Sequence, residues 1–281
     1  DRYFKRAGKS ILIYNFPIKS DVLKRPAHVS STFFLGLLIF YRSCKNNKFV
    51  NAIKTDNSLY KELPFIWFLA TLFHDMAEKM EEELEAVKKY AKFQMLIEKE
   101  EVEYNLLDDF KGSGIPKSLF DLIPSYFEFR ISDGKCDHGI FAGIYFYDQL
   151  VKNRKSRLAK IQQAGSESLF WGPSLDQAYG LTAASIAIHN IWVKSVKPDY
   201  QKWISASLIN FKPLSITDYP IPFIFGIVDT IDPIKYFCYK EVEGEINLTF
   251  ENVLNEIEFE FRLNVIKIKN IKIPNSYFEK Y

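Results

Sequence analysis

Apolar residues recur at helical spacing through roughly the first three-quarters of the chain. The first stripe is formed by Val29, Phe33, Leu37 and Phe40. Pro26 fits the first turn of the helix that would carry this stripe, where its missing N–H costs no hydrogen bond. Residues 78–89, rich in Glu and Lys, have the pattern of a solvated helical face. Further apolar stretches predict helices at about residues 64–73, 138–150, 175–193 and 222–231, with Asp137 as the N-cap of the second.

The hydrophobic pattern changes to a period of two near the C-terminus. Apolar residues alternate with polar ones over residues 246–250 and 257–265, and the parity then switches at Ile266 and Ile268. This alternation predicts strands, with a short helical turn around residues 252–255. We therefore expect a mainly α chain in two parts, a helical domain over residues 1–240 and a small β-rich appendage, residues 241–281, packed on it. About 40 residues barely sustain a core of their own.

Composition narrows the class of protein. The 281 residues are 47% hydrophobic, which excludes a disordered chain. The net charge of +2 excludes a protein that coats nucleic acid or anionic lipid through its overall charge. The longest apolar runs are about half the roughly 20 residues of a membrane-spanning helix, so no membrane contact is expected. Three dispersed cysteines without a CxxC pair favour a reducing, cytoplasmic setting. The chain starts at Asp1 without an initiator Met or signal pattern, which suggests a fragment of a longer product.

The four histidines are few enough to follow individually. Each lies within or at an end of a predicted apolar helix: His28, His74, His138 and His189. Any one of these histidines, taken alone, is best interpreted as a core residue whose ring nitrogens have hydrogen-bond partners. Two carboxylates share the same apolar setting, Asp75 directly after His74 and Asp229 inside a run of apolar residues. Because an isolated buried carboxylate costs several kcal/mol, about enough to unfold a domain, the set as a whole predicts a site for a divalent cation.

The ordered pattern His28, His74-Asp75, His138, His189, Asp229 resembles the HD-domain superfamily of metal-dependent phosphohydrolases, in its extended H…HD…H…H…D form. The resemblance covers about residues 25–231, and it implies an HD-domain-like helical bundle with two divalent ions. Mn, Fe, Ni, Mg and Zn remain open as the metal. One ion would be held by His28, His74, Asp75 and Asp229. The other would be held by His138 and His189, with Asp75 bridging the pair.

Two positions depart from the family's pattern. Many members read H-D-x-G-K, but here Glu78 occupies the place of the Lys and Lys79 follows one residue later. Asn190 follows His189 where some nuclease-like members have a second His. The resemblance implies Asp75, Lys79 and Asn190 as the catalytic residues, although both departures put the substrate in doubt more than the metal. Asp232 either shares the helical face of Asp229 or ends that helix.

The function implied by the resemblance is hydrolysis of a small phosphoester of the nucleotide type by a water that two metal ions activate. Three alternatives stay open: an HD-type nuclease acting on single-stranded nucleic acid, a di-iron HD oxygenase, and a non-catalytic binding module with a structural metal. The near-neutral charge argues mildly against the nuclease, because binding to a phosphate backbone relies on basic surface. The sequence leaves open whether the chain forms a homo-oligomer.

Overall fold

The computed structural model describes residues 20–44, 63–81, 83–110, 115, 117–163, 174–191, 219–232, 257–262 and 265–270. Helices dominate these residues, which confirms a mainly α chain. In chain order the helices are α1 (Ser20–Cys44), α2 (Leu63–Phe73), a short 3-10 helix (Glu78–Met80), α3 (Leu84–Lys89), α4 (Phe93–Lys99), α5 (Leu106–Asp109), α6 (Lys117–Phe120), α7 (Ile123–Ser132), α8 (His138–Gln163), α9 (Ser174–Ile188) and α10 (Pro220–Ile231). No helix among the described residues is both long enough and apolar enough to cross a membrane.

Helix α9 lies at the centre of the fold. Every residue from 178 to 189 is buried, so this helix has no solvent-facing side after its first turn, where Gln177 is exposed. Its two polar residues near the middle, Thr182 and Ser185, satisfy their hydroxyls by donating to backbone carbonyls four residues earlier. Helix α9 packs against α2, α8 and α10, while α1 packs against α2 and α10. These five helices surround one region, and each carries a residue of the predicted metal site either within it or directly after its last residue.

Two glycines allow α8 and α9 to approach closely. A Cβ atom on Gly143 would lie 2.5 Å from the carbonyl oxygen of Ala183 and 2.7 Å from the Cβ of Ala187. One turn earlier, a Cβ on Gly139 would lie 2.9 Å from the ring of His189. The absence of both side chains therefore lets the start of α8, with His138, meet the end of α9.

The structure corrects two local predictions about helix bounds. Helix α1 begins at Ser20, well before Pro26, so this proline does not mark the first turn. Residues 78–89 do not form one continuous solvated helix. The chain turns directly after α2 because Met76 and Ala77 are drawn into the core, and the hydrogen bonds there tighten to a three-residue spacing. The N-cap prediction is confirmed, since Asp137 Oδ1 accepts a hydrogen bond from the Ile140 N–H at 2.9 Å.

The described part of the C-terminal region contains an antiparallel pair of strands, β1 (Ile257–Arg262) and β2 (Val265–Asn270). The register pairs Phe259 with Ile268 and Phe261 with Ile266, so apolar residues stand opposite apolar residues. This register agrees with the parity switch in the sequence. The expected strand at 246–250 and the turn at 252–255 lie outside the described residues. The boundary at residue 240 and the packing of the appendage stay predictions.

Candidate metal centre

Six residues from five separate parts of the sequence meet where the five packed helices converge. They form two groups of ligand-type side chains, and within each group the ligand atoms lie within 4.8 Å of one another. The first group contains His28, His74, Asp75 and Asp229, and the second contains Asp75, His138 and His189. Asp75 belongs to both groups. The structure thus brings together every residue that the sequence predicted as a metal ligand, in the two sets that the family resemblance implies.

The first group is compact and has two nitrogen and two oxygen donors. His28 Nε2 and His74 Nε2 are 3.0 Å apart. Each of these nitrogens lies 3.2–3.3 Å from Asp75 Oδ2 and from Asp229 Oδ1. Atoms that bind one ion at about 2.0–2.1 Å are separated by about 2.8–3.0 Å at right angles and about 3.3–3.4 Å at tetrahedral angles. The observed separations fall in this interval, so the four donors fit around a single divalent ion.

The second group is nearer to solvent and has fewer donors. His138 Nε2 lies 3.7 Å from the other oxygen of Asp75, Oδ1. His138 keeps 12% of its side chain exposed, whereas His74 is completely buried. His189 Nε2 is a buried nitrogen without a hydrogen-bond partner in the described residues. A buried polar atom of this kind is costly unless something binds it, and a metal ion is one such partner.

Carboxylates hold one histidine of each group from the outside. His28 Nδ1 lies 2.5 Å from Asp232 Oδ2, and His138 Nδ1 lies 2.5 Å from Glu81 Oε2. A carboxylate accepts but does not donate, so each Nδ1 carries a proton and the Nε2 of the same ring faces the interior of the site. Histidines that bind metals in proteins commonly have this kind of outer partner.

Backbone carbonyls hold the other histidine of each group in the same sense. His74 Nδ1 donates to the carbonyl oxygen of Thr71 at 3.0 Å, and His189 Nδ1 donates to that of Ile186 at 2.5 Å. Both carbonyls lie three residues before their histidine, at the ends of α2 and α9, where the last carbonyls of a helix lack partners within it. All four histidines therefore have Nδ1 anchored outward, which leaves Nε2 as the ring nitrogen directed to the interior of the site.

Burial and the carboxylates determine the ionisation of this cluster. Burial lowers the pKa of His189 to about 3, so its imidazole stays neutral. Burial also acts to lower the pKa of His28, but hydrogen bonds to Asp229, Asp232 and Asp75 outweigh it and raise that pKa well above 6.5. Burial acts to raise the pKa of Asp75, yet the neighbouring histidines hold it well below its ordinary value. A metal ion entering the first group would therefore displace a proton.

The two remaining predicted residues are placed differently. Asn190 is half-buried, with its side-chain nitrogen 2.8 Å from His138 Nε2 and its backbone carbonyl accepting from the Tyr126 hydroxyl. Lys79 is exposed in the 3-10 helix directly after the His74-Asp75 turn. Asn190 thus borders the second group, whereas Lys79 is outside both groups.

Glu81 was not predicted as a site residue. Burial acts to raise its pKa, but the hydrogen bond to His138 and the charge of Arg130 lower it to about 2, so it is a carboxylate at neutral pH. In the sequence it sits within the Glu/Lys stretch that suggested a solvated face, and its spacing of six residues from Asp75 is no recognised signal. Asp232, left open by the sequence, shares the site side of α10 with Asp229.

Comparison with known proteins adds no relative of this chain. No family model matches it, and no curated protein or solved structure matches it either.

Proposed function

We propose that this protein is an HD-type, metal-dependent phosphohydrolase with two divalent ions. The observation that carries the proposal is the convergence of six His and Asp side chains into two groups that share Asp75, with every histidine anchored through its Nδ1 on the outer side. The mainly helical fold and the chain order of these residues support an HD-like bundle over residues 1–240. The β-rich appendage belongs to the same proposal.

The two groups would bind their ions with different sets of donor atoms. In the first, two imidazoles and two carboxylates suit a first-row transition ion better than Mg²⁺, whose sites are built mainly from oxygens. Asp75 contributes Oδ2 to the first group and Oδ1 to the second, so that one negative charge would offset the repulsion between two cations. Bound there, two cations would neutralise phosphate charge and lower the pKa of a water towards about 7.

The surroundings of the site suggest how a substrate would reach it. Phe225 is fully buried and packs its ring against both His74 and His189, which keeps water away from the floor of the site. The half-buried Asn190 and the partly exposed His138 lie on the side nearer to solvent. A phosphoester would approach from that side, where the Asn190 amide can donate a hydrogen bond to it or to the attacking water.

The substrate class rests on charge and remains a proposal. A net charge of +2 favours a compact phosphoester, such as a nucleotide, over a long polyanion. Assembly as a homo-oligomer and a cytoplasmic location stay predictions from the sequence.

The deciding experiment combines metal analysis with hydrolysis. Purified protein, loaded in turn with Mn²⁺, Fe²⁺, Ni²⁺, Zn²⁺ or Mg²⁺, is assayed on bis-p-nitrophenyl phosphate and on a panel of nucleotides and cyclic nucleotides. Asp75→Asn is expected to lose both ions and at least about 100-fold in rate, because Asp75 belongs to both groups. Asp133→Asn, an exposed carboxylate at the end of α7, is the matched control and should behave as wild type.

Full hydrolysis by Asp75→Asn would refute the two-ion proposal. Each rival function has its own result in the same preparation. Cleavage of single-stranded DNA or RNA without turnover of small esters would indicate a nuclease, and two irons with oxygen consumption would indicate an oxygenase. A metal-loaded protein inert towards every substrate would indicate a binding module.

A further inference from the structure

Asp232 lies just behind the first metal group without belonging to it. The residue directly follows α10, is completely buried, and uses both carboxylate oxygens. Oδ2 pairs with His28 Nδ1 at 2.5 Å, and Oδ1 accepts a hydrogen bond from the Ser31 hydroxyl. Because Ser31 and His28 are both on α1, this single carboxylate joins the end of α10 to the histidine-bearing face of α1.

Glu81 occupies the corresponding position behind the second group. Its Oε2 pairs with His138 Nδ1 at 2.5 Å, and its Oε1 accepts a hydrogen bond from Arg130 on α7. Its backbone carbonyl also accepts from the Cys136 N–H at 2.9 Å, in the loop that leads into α8. The position of Glu81 is therefore fixed from three directions.

We propose that Asp232 and Glu81 are a matched pair of positioning residues, each of which sets the affinity for one of the two metal ions. Asp232 acts on the first group through His28, and Glu81 acts on the second group through His138. This inference rests on the proposed two-ion centre. It assigns a role to two residues that belong to neither of the two metal groups.

The physical basis is the difference between a carboxylate and a carbonyl as the outer partner of a histidine. Both fix the ring orientation and the tautomer, but the negative charge of a carboxylate also strengthens the imidazole as a ligand. Each group contains one histidine of each kind: His28 and His138 have carboxylate partners, whereas His74 and His189 have backbone carbonyls. Removing an outer carboxylate typically weakens metal binding about 10–100-fold.

The two effects should be separable because the two carboxylates contact different histidines in different groups. His28 lies 3.3 Å from both carboxylates of the first group, and His138 approaches only the Asp75 oxygen of the second. Sites without shared partners normally give additive energies. Asp232 pairs with His28 and Ser31, whereas Glu81 pairs with His138 and Arg130, so the two carboxylates share none of these partners.

The test measures metal affinity directly and needs no substrate. Metal-free protein is titrated with Co²⁺ against a competing chelator, and the absorption bands of bound Co²⁺ report the ligand field. Asp232→Asn and Glu81→Gln keep the size and an acceptor oxygen but remove the charge. Each is expected to weaken one ion about 10–100-fold, to shift the bands of that ion only, and to leave the other affinity unchanged. Glu83→Gln, exposed two residues after Glu81, is the control and should change neither affinity.

A double-variant comparison assigns each carboxylate to its ion. Glu81→Gln should cause no further loss in a His138→Ala background, where the histidine through which it acts is absent, but should cause its full loss in an Asp229→Asn background. Unchanged affinities in both single variants, or equal weakening of both ions in each accompanied by a lower Tm of the metal-free protein, would overturn the positioning role. If wild-type protein binds no ion at all, the proposed function itself fails, which is a different result.

Discussion

Replacing Gly143 by Ala should destabilise the protein by forcing α8 and α9 apart. The new Cβ would lie 2.5 Å from the Ala183 carbonyl oxygen, 2.7 Å from the Ala187 Cβ and 3.0 Å from the Ala187 nitrogen. Carbon atoms in contact are normally about 3.5–4.0 Å apart, so the two helices must separate by about 1 Å. Backbone atoms cannot rotate away as the end of a long side chain can, so the clash must be relieved by movement of a whole helix.

The size of the effect follows from two opposing contributions. Overpacking of a well-filled interior costs about 1–3 kcal/mol. The preference of a helix for Ala over Gly offsets about 0.5–1 kcal/mol of this loss. We therefore expect the free energy of unfolding to fall by up to about 2.5 kcal/mol, with a central value of about 1 kcal/mol. For a chain of this size, that central value corresponds to a decrease in Tm of roughly 2–4 °C.

Urea and thermal unfolding of the metal-free protein, followed by circular dichroism, measure this change. Gly226→Ala is the matched control, because Gly226 is also inside a site-bearing helix but the nearest atom to its new Cβ, the carbonyl oxygen of His189, is 3.7 Å away. This control should gain about 0.5–1 kcal/mol from helix preference alone. If Gly143→Ala is as stable as Gly226→Ala, the close approach of α8 and α9 does not exist as described.

Three further predictions concern other parts of the molecule. Burial raises the pKa of the Cys136 thiol to about 12, so iodoacetamide at pH 8 should modify this cysteine only after denaturation. Peptide mass spectrometry that finds Cys136 labelled in the native protein would contradict its burial. Asp176→Asn removes the charge of one partner of the buried Arg154 and should lower the free energy of unfolding by about 1–3 kcal/mol, against less than about 0.5 kcal/mol for Asp121→Asn in an exposed pair; equal urea midpoints for the two variants would refute this difference. Removal of metal by EDTA should lower Tm and re-addition should restore it, because an ion at 100 times its Kd stabilises the native state by about 2.7 kcal/mol; a Tm that ignores both steps would argue against a bound ion.

The sequence predicted the helices whose apolar stripes face one core. The stretch at residues 222–231 is an example, because burial of one face leaves a visible period of 3.6 residues. It did not predict that the chain turns at His74 and draws Met76 and Ala77 inward, since two small or medium apolar residues do not form a periodic signal. It also gave no sign that Gly143 is a contact point, because the meaning of a helical glycine depends on a neighbouring helix that the sequence does not specify.

The candidate site was predictable to a similar depth. The rarity of histidine and the apolar setting of Asp75 and Asp229 identified the six residues that the structure brings together. The role of Glu81 was not predicted, because a charged residue in a charged stretch gives the same sequence pattern whether it faces water or a histidine. Its role is visible only once the turn after α2 and the start of α8 are placed side by side, which is a long-range property of the fold.

The contact between His28 and Asp232 spans 204 residues of sequence. At a synthesis rate of about 5–20 residues per second, His28 leaves the ribosome roughly 10–40 s before its partner is made. The first metal group likewise waits for Asp229, so the ion can be captured only near the end of translation. A chain that stops before α10 would lack both Asp229 and Asp232, and His28 would lose two of its carboxylate partners. Tight metal binding would thus distinguish chains that are complete through α10 from chains that are truncated before it.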